Sequence, residues 1–148
     1  MQDKNGIEMK TGMVVKIEGA YFKSDNGLYF IAHAPGDPTW CGSDYSLHKI
    51  TTKGMPKEHH AVGFWPLYVT VSSREKRIAA KKHNDENATI EVVSGIPMNG
   101  IKAFFEKEHE NILRAMEWED RNYGSVQEKT IAQRDFYKKV ANSMEDAA

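Results

Sequence analysis

The chain has 148 residues, 40% apolar and 28% charged, with a formal net charge of -1. It can therefore bury a core without staples, and it has no global basic field to gather nucleic acid or an anionic membrane. Its single cysteine, Cys41, excludes an internal disulfide and a multi-cysteine zinc cage.

The opening Met1-Gln2-Asp3-Lys4-Asn5-Gly6 has no apolar segment of the signal-peptide kind, and no apolar run reaches the roughly 18 residues of a membrane span. A cytoplasmic protein is the expectation. Residues 1–11 are polar and aperiodic and read as a loose leader, ordered in part against the body of the protein. From Met13 the texture changes: Val14-Val15-Lys16-Ile17-Glu18 is β-branched and alternates toward its end, as a half-buried strand does. Asn26-Gly27 reads as a tight turn that needs positive φ, with Leu28 to His33 as the return strand. Residues 34–44, with Pro35, Gly36, Pro38 and Gly42, form a long loop. Tyr45 to Thr51 alternates and rejoins the sheet, and residues 53–60 read as a second polar loop.

Phe64-Trp65-Pro66-Leu67-Tyr68-Val69-Thr70-Val71 has strand composition, with Pro66 at an edge or bulge. Ser72 and Glu75 fit a capping box that opens a short helix over 74–83. Residues 88–93 alternate as a last strand. Ile101, Phe104, Phe105, Ile112, Leu113 and Met116 recur at three- and four-residue spacing and predict a helix, which Gly124 ends with a left-handed cap. Ser125 and Glu128 form a second capping box. Val126, Ile131, Phe136, Tyr137, Val140 and Met144 line the next helix. The expected organisation is a leader over 1–11, a strand-rich body over 12–96 and a helical hairpin over 97–148.

Candidate chemistry is sparse. A thiol enzyme would pair Cys41 with His33 or His48 as base, near Asp37 and Asp44. No flanking signature accompanies that trio, and a small residue filling a loop pocket is the plainer reading. His59-His60 with His33, Cys41 or Asp37 has metal-binding composition, but neighbours on extended backbone point opposite ways and ligand spacing is missing. No metal and no cofactor is expected. His109 reads as a helix-boundary residue, and the carboxylates of both helices as a solvated face. Gly36-Asp37-Pro38 and Gly95-Ile96-Pro97 lack the spacing and the lysine of a phosphate loop.

Two features stand above this background. Trp40 lies in the Pro/Gly loop, and with Tyr45 and the His59-His60 loop it makes a candidate partner-binding surface, since Trp and Tyr bury large area at low entropy cost. Arg74, Arg77, Lys81 and Lys82 share one face of the short helix and can meet phosphate. The competing reading of that face is simple solvation.

The stretch Gly12-Met13-Val14-Val15-Lys16-Ile17-Glu18-Gly19-Ala20-Tyr21, followed by Asn26-Gly27-Leu28-Tyr29-Phe30-Ile31, resembles the opening hairpin of small SH3-like barrels. Residues 12–93, through Gly27, Pro35-Gly36-Asp37, Trp40 and Phe64-Trp65-Pro66-Leu67, resemble small accessory proteins of bacterial phages and integrative elements. That resemblance implies a binding protein that acts on host machinery, such as an inhibitor of host defence. It carries no functional residue over.

The expected fold is α+β: a strongly bent antiparallel sheet or small SH3-like barrel of about five strands, one inserted helix and a C-terminal helical hairpin. The hairpin packs on the sheet or forms a homodimer interface. The expected function is a non-catalytic protein-binding module whose partner is another protein, a nucleic-acid-handling one among the candidates. A nucleic-acid-binding SH3-like domain and a Cys41-dependent thiol enzyme are the alternatives.

Overall fold

Four consecutive buried residues in one strand set the architecture. In β2 (Gly27–His33), Tyr29 and Ile31 face one way and Phe30 and Ala32 the other, and all four are buried. Such a strand has no solvent side, so it must lie inside a sheet that is covered on both faces. In the computed structural model, which describes residues 2–20, 23–39, 45–62 and 88–144, β2 is the middle strand of a five-stranded antiparallel sheet. Next to it on one side is β1 (Val14–Glu18), then β5 (Thr89–Val92); on the other come β3 (Ser46–Ile50) and β4 (Pro56–Val62). Among the described residues, two helices follow the sheet, α1 (Asn99–Tyr123) and α2 (Glu128–Asn142). The fold is α+β, as expected. The described strands form an open sheet, not a closed SH3-like barrel. The expected strand over 64–71 and helix over 74–83 lie outside the described residues.

One face of the sheet holds Val15, Ile17, Tyr29, Ile31, Leu47 and Ile90, packed with Met9 and Tyr45. The other holds Val14, Phe30, Ala32 and Ile50 and receives the helices through Ile101, Phe105, Tyr137 and Val140. Phe30 is the centre of that contact, with ring centroids 5.0 Å from Phe104 and 5.9 Å from Phe105, both edge-to-face. Pairs of this geometry add roughly 0.5–1.5 kcal/mol each beyond the area they bury. The helical hairpin therefore packs on the sheet.

Both hairpin connections differ from the sequence expectation. Between β1 and β2 there is no two-residue turn. A 3-10 turn spans Lys23–Asp25, Ile17 pairs with Gly27, and the Asn26 side chain accepts the Ala20 amide at 2.9 Å. The positive φ falls on Gly27 at 135°. Between β3 and β4 the connection is shorter than the expected loop over 53–60. Thr51 N–H donates to the Met55 carbonyl and Gly54 N–H to that of Thr51, both at 2.9 Å. The chain returns at Pro56, opposite Ile50, where a missing donor at a strand's first residue is tolerated. His59 and His60 thus belong to a strand, not a loop. Their polar surroundings mislead because β4 is an edge of the described sheet, and edge strands carry charge.

The start of the chain is also not loose. Lys4 N–H donates to the Ile90 carbonyl at 3.0 Å, Gln2 bridges to Glu8, and Met9 is 2% exposed. The leader occupies the outer edge of β5, which blocks pairing with another chain there. At the other end α1 stops at Gly124, whose φ of 74° supplies the expected left-handed cap. α2 does not begin with a Ser125 capping box. Its N-cap is Gln127 and it has no side-chain cap of its own. Glu119 of α1 takes that role: it accepts the Gln127 amide at 3.0 Å, and the Thr130 hydroxyl lies 2.8 and 2.7 Å from its two oxygens.

Candidate functional site

The end of β2 is built to hold a loop. Pairing shifts from Ile31 opposite Leu47 to His33 opposite Ser46, an irregularity of the kind that re-aims side chains at sheet ends. Asp37 then ties the root of the loop: its carboxylate accepts the Ala34 amide at 3.0 Å and the Thr11 hydroxyl. His33 Nδ1 lies 3.3 Å from Thr39 Oγ1, and Gln133 Nε2 donates to the Pro38 carbonyl at 3.0 Å. The loop root is thus fastened to the leader, to β2 and to α2. Trp40 and Cys41, which the loop carries next, lie outside the described residues.

Two imidazoles stand at that root. The His48 ring is 5.2 Å from both the Phe30 and the Phe104 rings. Burial pushes His48 below its usual range. It pushes His33 down as well, with His48 adding to the effect and Asp37 opposing it. Both are held toward the neutral form, which can accept a proton or a hydrogen bond. Among the described residues, no three His, Cys, Asp or Glu side chains converge as metal ligands do.

Tyr45, expected at the partner surface, is core. It is 4% exposed, its hydroxyl donates to the Met9 carbonyl at 3.1 Å, and burial, with Glu8 and Asp37, pushes its phenol up to about 12. Its aromatic body belongs to the apolar face, and one hydrogen bond satisfies the polar tip. His59 and His60 lie on β4, and Trp40, with which they were grouped, lies outside the described residues. Arg74, Arg77, Lys81 and Lys82 lie outside the described residues. His109 is half-buried on α1, in keeping with a boundary position.

A surface at the far end of the helical hairpin escapes the sequence reading. Trp118 is 53% exposed and Tyr123 58%. Their ring centroids are 5.2 Å apart at 89°, and Asn122 Nδ2 donates to the Trp118 carbonyl at 2.8 Å. A signal is present: Trp118 is out of phase with Phe105, Ile112 and Met116, so a straight helix could not bury it with them.

Comparison with protein-family models, curated proteins and solved structures finds no match. Among the described residues, no helix is long and apolar enough to cross a membrane.

Proposed function

We propose that the protein is a non-catalytic protein-binding module that grips its partner with the tip of its helical hairpin. The observation that carries this reading is the exposed edge-to-face pair Trp118 and Tyr123. Large aromatic side chains on a rigid helix reach a partner at little ordering cost. Trp and Tyr dominate the energetics of protein interfaces. Glu117, Asp120 and Arg121 around them carry both signs, so affinity comes from shape and apolar burial more than from steering. The Trp40 loop, with its fastened root, is the second contact. The partner class we propose, a host protein that handles nucleic acid, rests on the resemblance of residues 12–93 to mobile-element accessory proteins.

The test is affinity capture with the wild type and with Trp118→Ala, Tyr123→Ala and Trp40→Ala, in the presence of nuclease. Trp118→Ala should weaken capture about thirtyfold, the effect of losing a 2 kcal/mol anchor, with melting unchanged. Capture that survives both helix variants and fails with Trp40→Ala moves the interface to the loop. Capture abolished by nuclease favours direct nucleic-acid binding.

A further inference from the structure

We infer that a cleft at the C-terminal end of α2 is a binding site for an unbranched aliphatic chain with an uncharged polar head, as in a fatty alcohol or a monoacyl ester. This goes beyond the partner reading and does not rest on it, because α2 runs from the hairpin tip to this end. After β5 the chain crosses the helix-covered face of the sheet to reach α1. That crossing is pinned at both ends. The Val93 amide donates to the Val14 carbonyl at 2.9 Å, and the Pro97 carbonyl packs on Gly54, where a Cβ would stand 1.9 Å from its oxygen. Between the pins, Gly95 has a φ of 83° and open space around it. The crossing and the end of α2 border a cleft of about 460 Å³. Ligand sites commonly measure about 300–1,000 Å³.

Val14, Val93, Ile96, Met98 and Met144 line the cleft, and all five belong to the one apolar cluster on the helix-covered face. Val14 and Met144 are buried, whereas Val93, Ile96 and Met98 are half-buried. The last three therefore carry the apolar surface that a ligand can still cover. Met144 is placed by a glycine: a Cβ on Gly12 would stand 2.8 Å from its Cε methyl. Met98 and Met144 are unbranched and polarizable, so they adapt to a chain that has no fixed shape. The rim is polar without a dominant charge. Ser94 and Ser143 line it, and the Ser143 hydroxyl donates to the Val140 carbonyl at 2.7 Å, which leaves its lone pairs for a donor. The exposed Lys10 brings positive charge, and the carbonyl end of α2 brings partial negative charge. These offset each other, so a head that both donates and accepts fits better than an ion.

The test is a chemical-shift titration of the full chain, labelled at its methionine methyl groups, with 1-octanol. The Met98 and Met144 signals should shift and saturate. Met9, 2% exposed on the other face of the sheet, and Met55, 53% exposed, should stay in place. 1-Hexanol, shorter by two methylenes, should bind about tenfold more weakly. Octanoate and octyltrimethylammonium should each bind severalfold more weakly than octanol. Val93→Phe should fill the cleft and abolish saturation; if that variant does not fold, the chain-length dependence of the wild type decides alone. Four outcomes would overturn the site: no saturation at the solubility limit of octanol, equal shifts at Met55, hexanol as tight as octanol, or either ion tighter than octanol. Phosphatidylcholine vesicles that shift Met98 and Met144 more than octanol would replace it with a membrane contact. N-acetyl-leucinamide binding more tightly than octanol would assign the cleft to a side chain of a protein partner instead.

Discussion

The amide of Val92 donates to the carboxylate of Asp3 at 2.7 Å, across 89 positions of sequence. The other oxygen of that carboxylate accepts the amides of Asn5 at 2.9 Å and Ile7 at 2.8 Å. One side chain thus closes the leader on itself and fastens it to the outer edge of β5. Asp3 is 6% exposed, so these amides are its replacement for water.

Burial alone would raise the Asp3 carboxyl, but the amides of Val92, Ile7 and Asn5, with Lys4, outweigh it and hold the group below its ordinary 3.8. Its stabilisation is therefore fully present above the unfolded value and lost as pH falls through the lower folded value. Asp3→Ala should cost about 1–3 kcal/mol at neutral pH, because it strands three donors. Urea midpoints of wild type and variant should converge as pH drops below 3.8. A constant gap down to acid pH would mean that the carboxylate's charge is not what holds the clasp.

The turn between β3 and β4 meets the start of α1 through glycines on both sides. A Cβ on Gly54 would stand 1.9 Å from the Pro97 carbonyl oxygen, and one on Gly100 would stand 2.8 Å from the Gly54 carbonyl oxygen. Gly36 has a similar positive φ but open space around it. Gly36→Ala should cost about 1 kcal/mol from backbone strain alone. Gly54→Ala adds a backbone clash and should cost about 2–4 kcal/mol. Equal melting shifts for the two variants would show that the turn and the helix can move apart freely.

Glu119 caps α2 from the preceding helix, whereas Ser125 makes no cap. Glu119→Ala should lower stability by about 1–3 kcal/mol, since it strands the Gln127 amide and the buried Thr130 hydroxyl. Ser125→Ala should change it by less than about 0.5 kcal/mol. Thermal unfolding of both decides between the cap across the hairpin and the local capping box.

That contrast shows where sequence reasoning holds and where it stops. Val14 to Ile17, Tyr29 to Ala32, Ile90 and the Ile101–Phe105 pair announce their elements through local period, because burial repeats with strand or helix geometry. Gly124 announces its cap through the one conformation glycine alone takes cheaply. Asp3 and Glu119 are different: each is a carboxylate in a polar stretch, and its role is fixed by amides that only the fold brings near. Tyr45 reads as surface for a related reason. Nothing local tells a tyrosine with a buried partner such as the Met9 carbonyl from one that faces solvent. Trp118 is legible in principle, since its phase on α1 excludes the core, and the phase carries more weight than the residue's apolar character.

The two imidazoles at the loop root give the last expectation, and it occupies a different pH range from Asp3. His48 lies against Phe30 of β2 and Phe104 of α1, and His33 lies beside Thr39, with Asp37 favouring its charge. Burial lowers both below the ordinary 6.5. Between that value and the lower folded ones, the unfolded chain binds more protons, so stability must fall as pH drops through this window and be complete above it. His48→Phe keeps a ring between Phe30 and Phe104 and removes one titrating group; His33→Gln removes the other. The double variant should show a flatter decline in urea midpoint between about pH 7 and 5, while the acid decline from Asp3 persists. The single His48→Phe variant should match wild type near neutral pH, where His48 is already uncharged. A wild-type slope retained in the double variant would place the proton uptake elsewhere. A loss of stability at neutral pH would show that the imidazole makes a polar contact that a phenyl ring cannot replace.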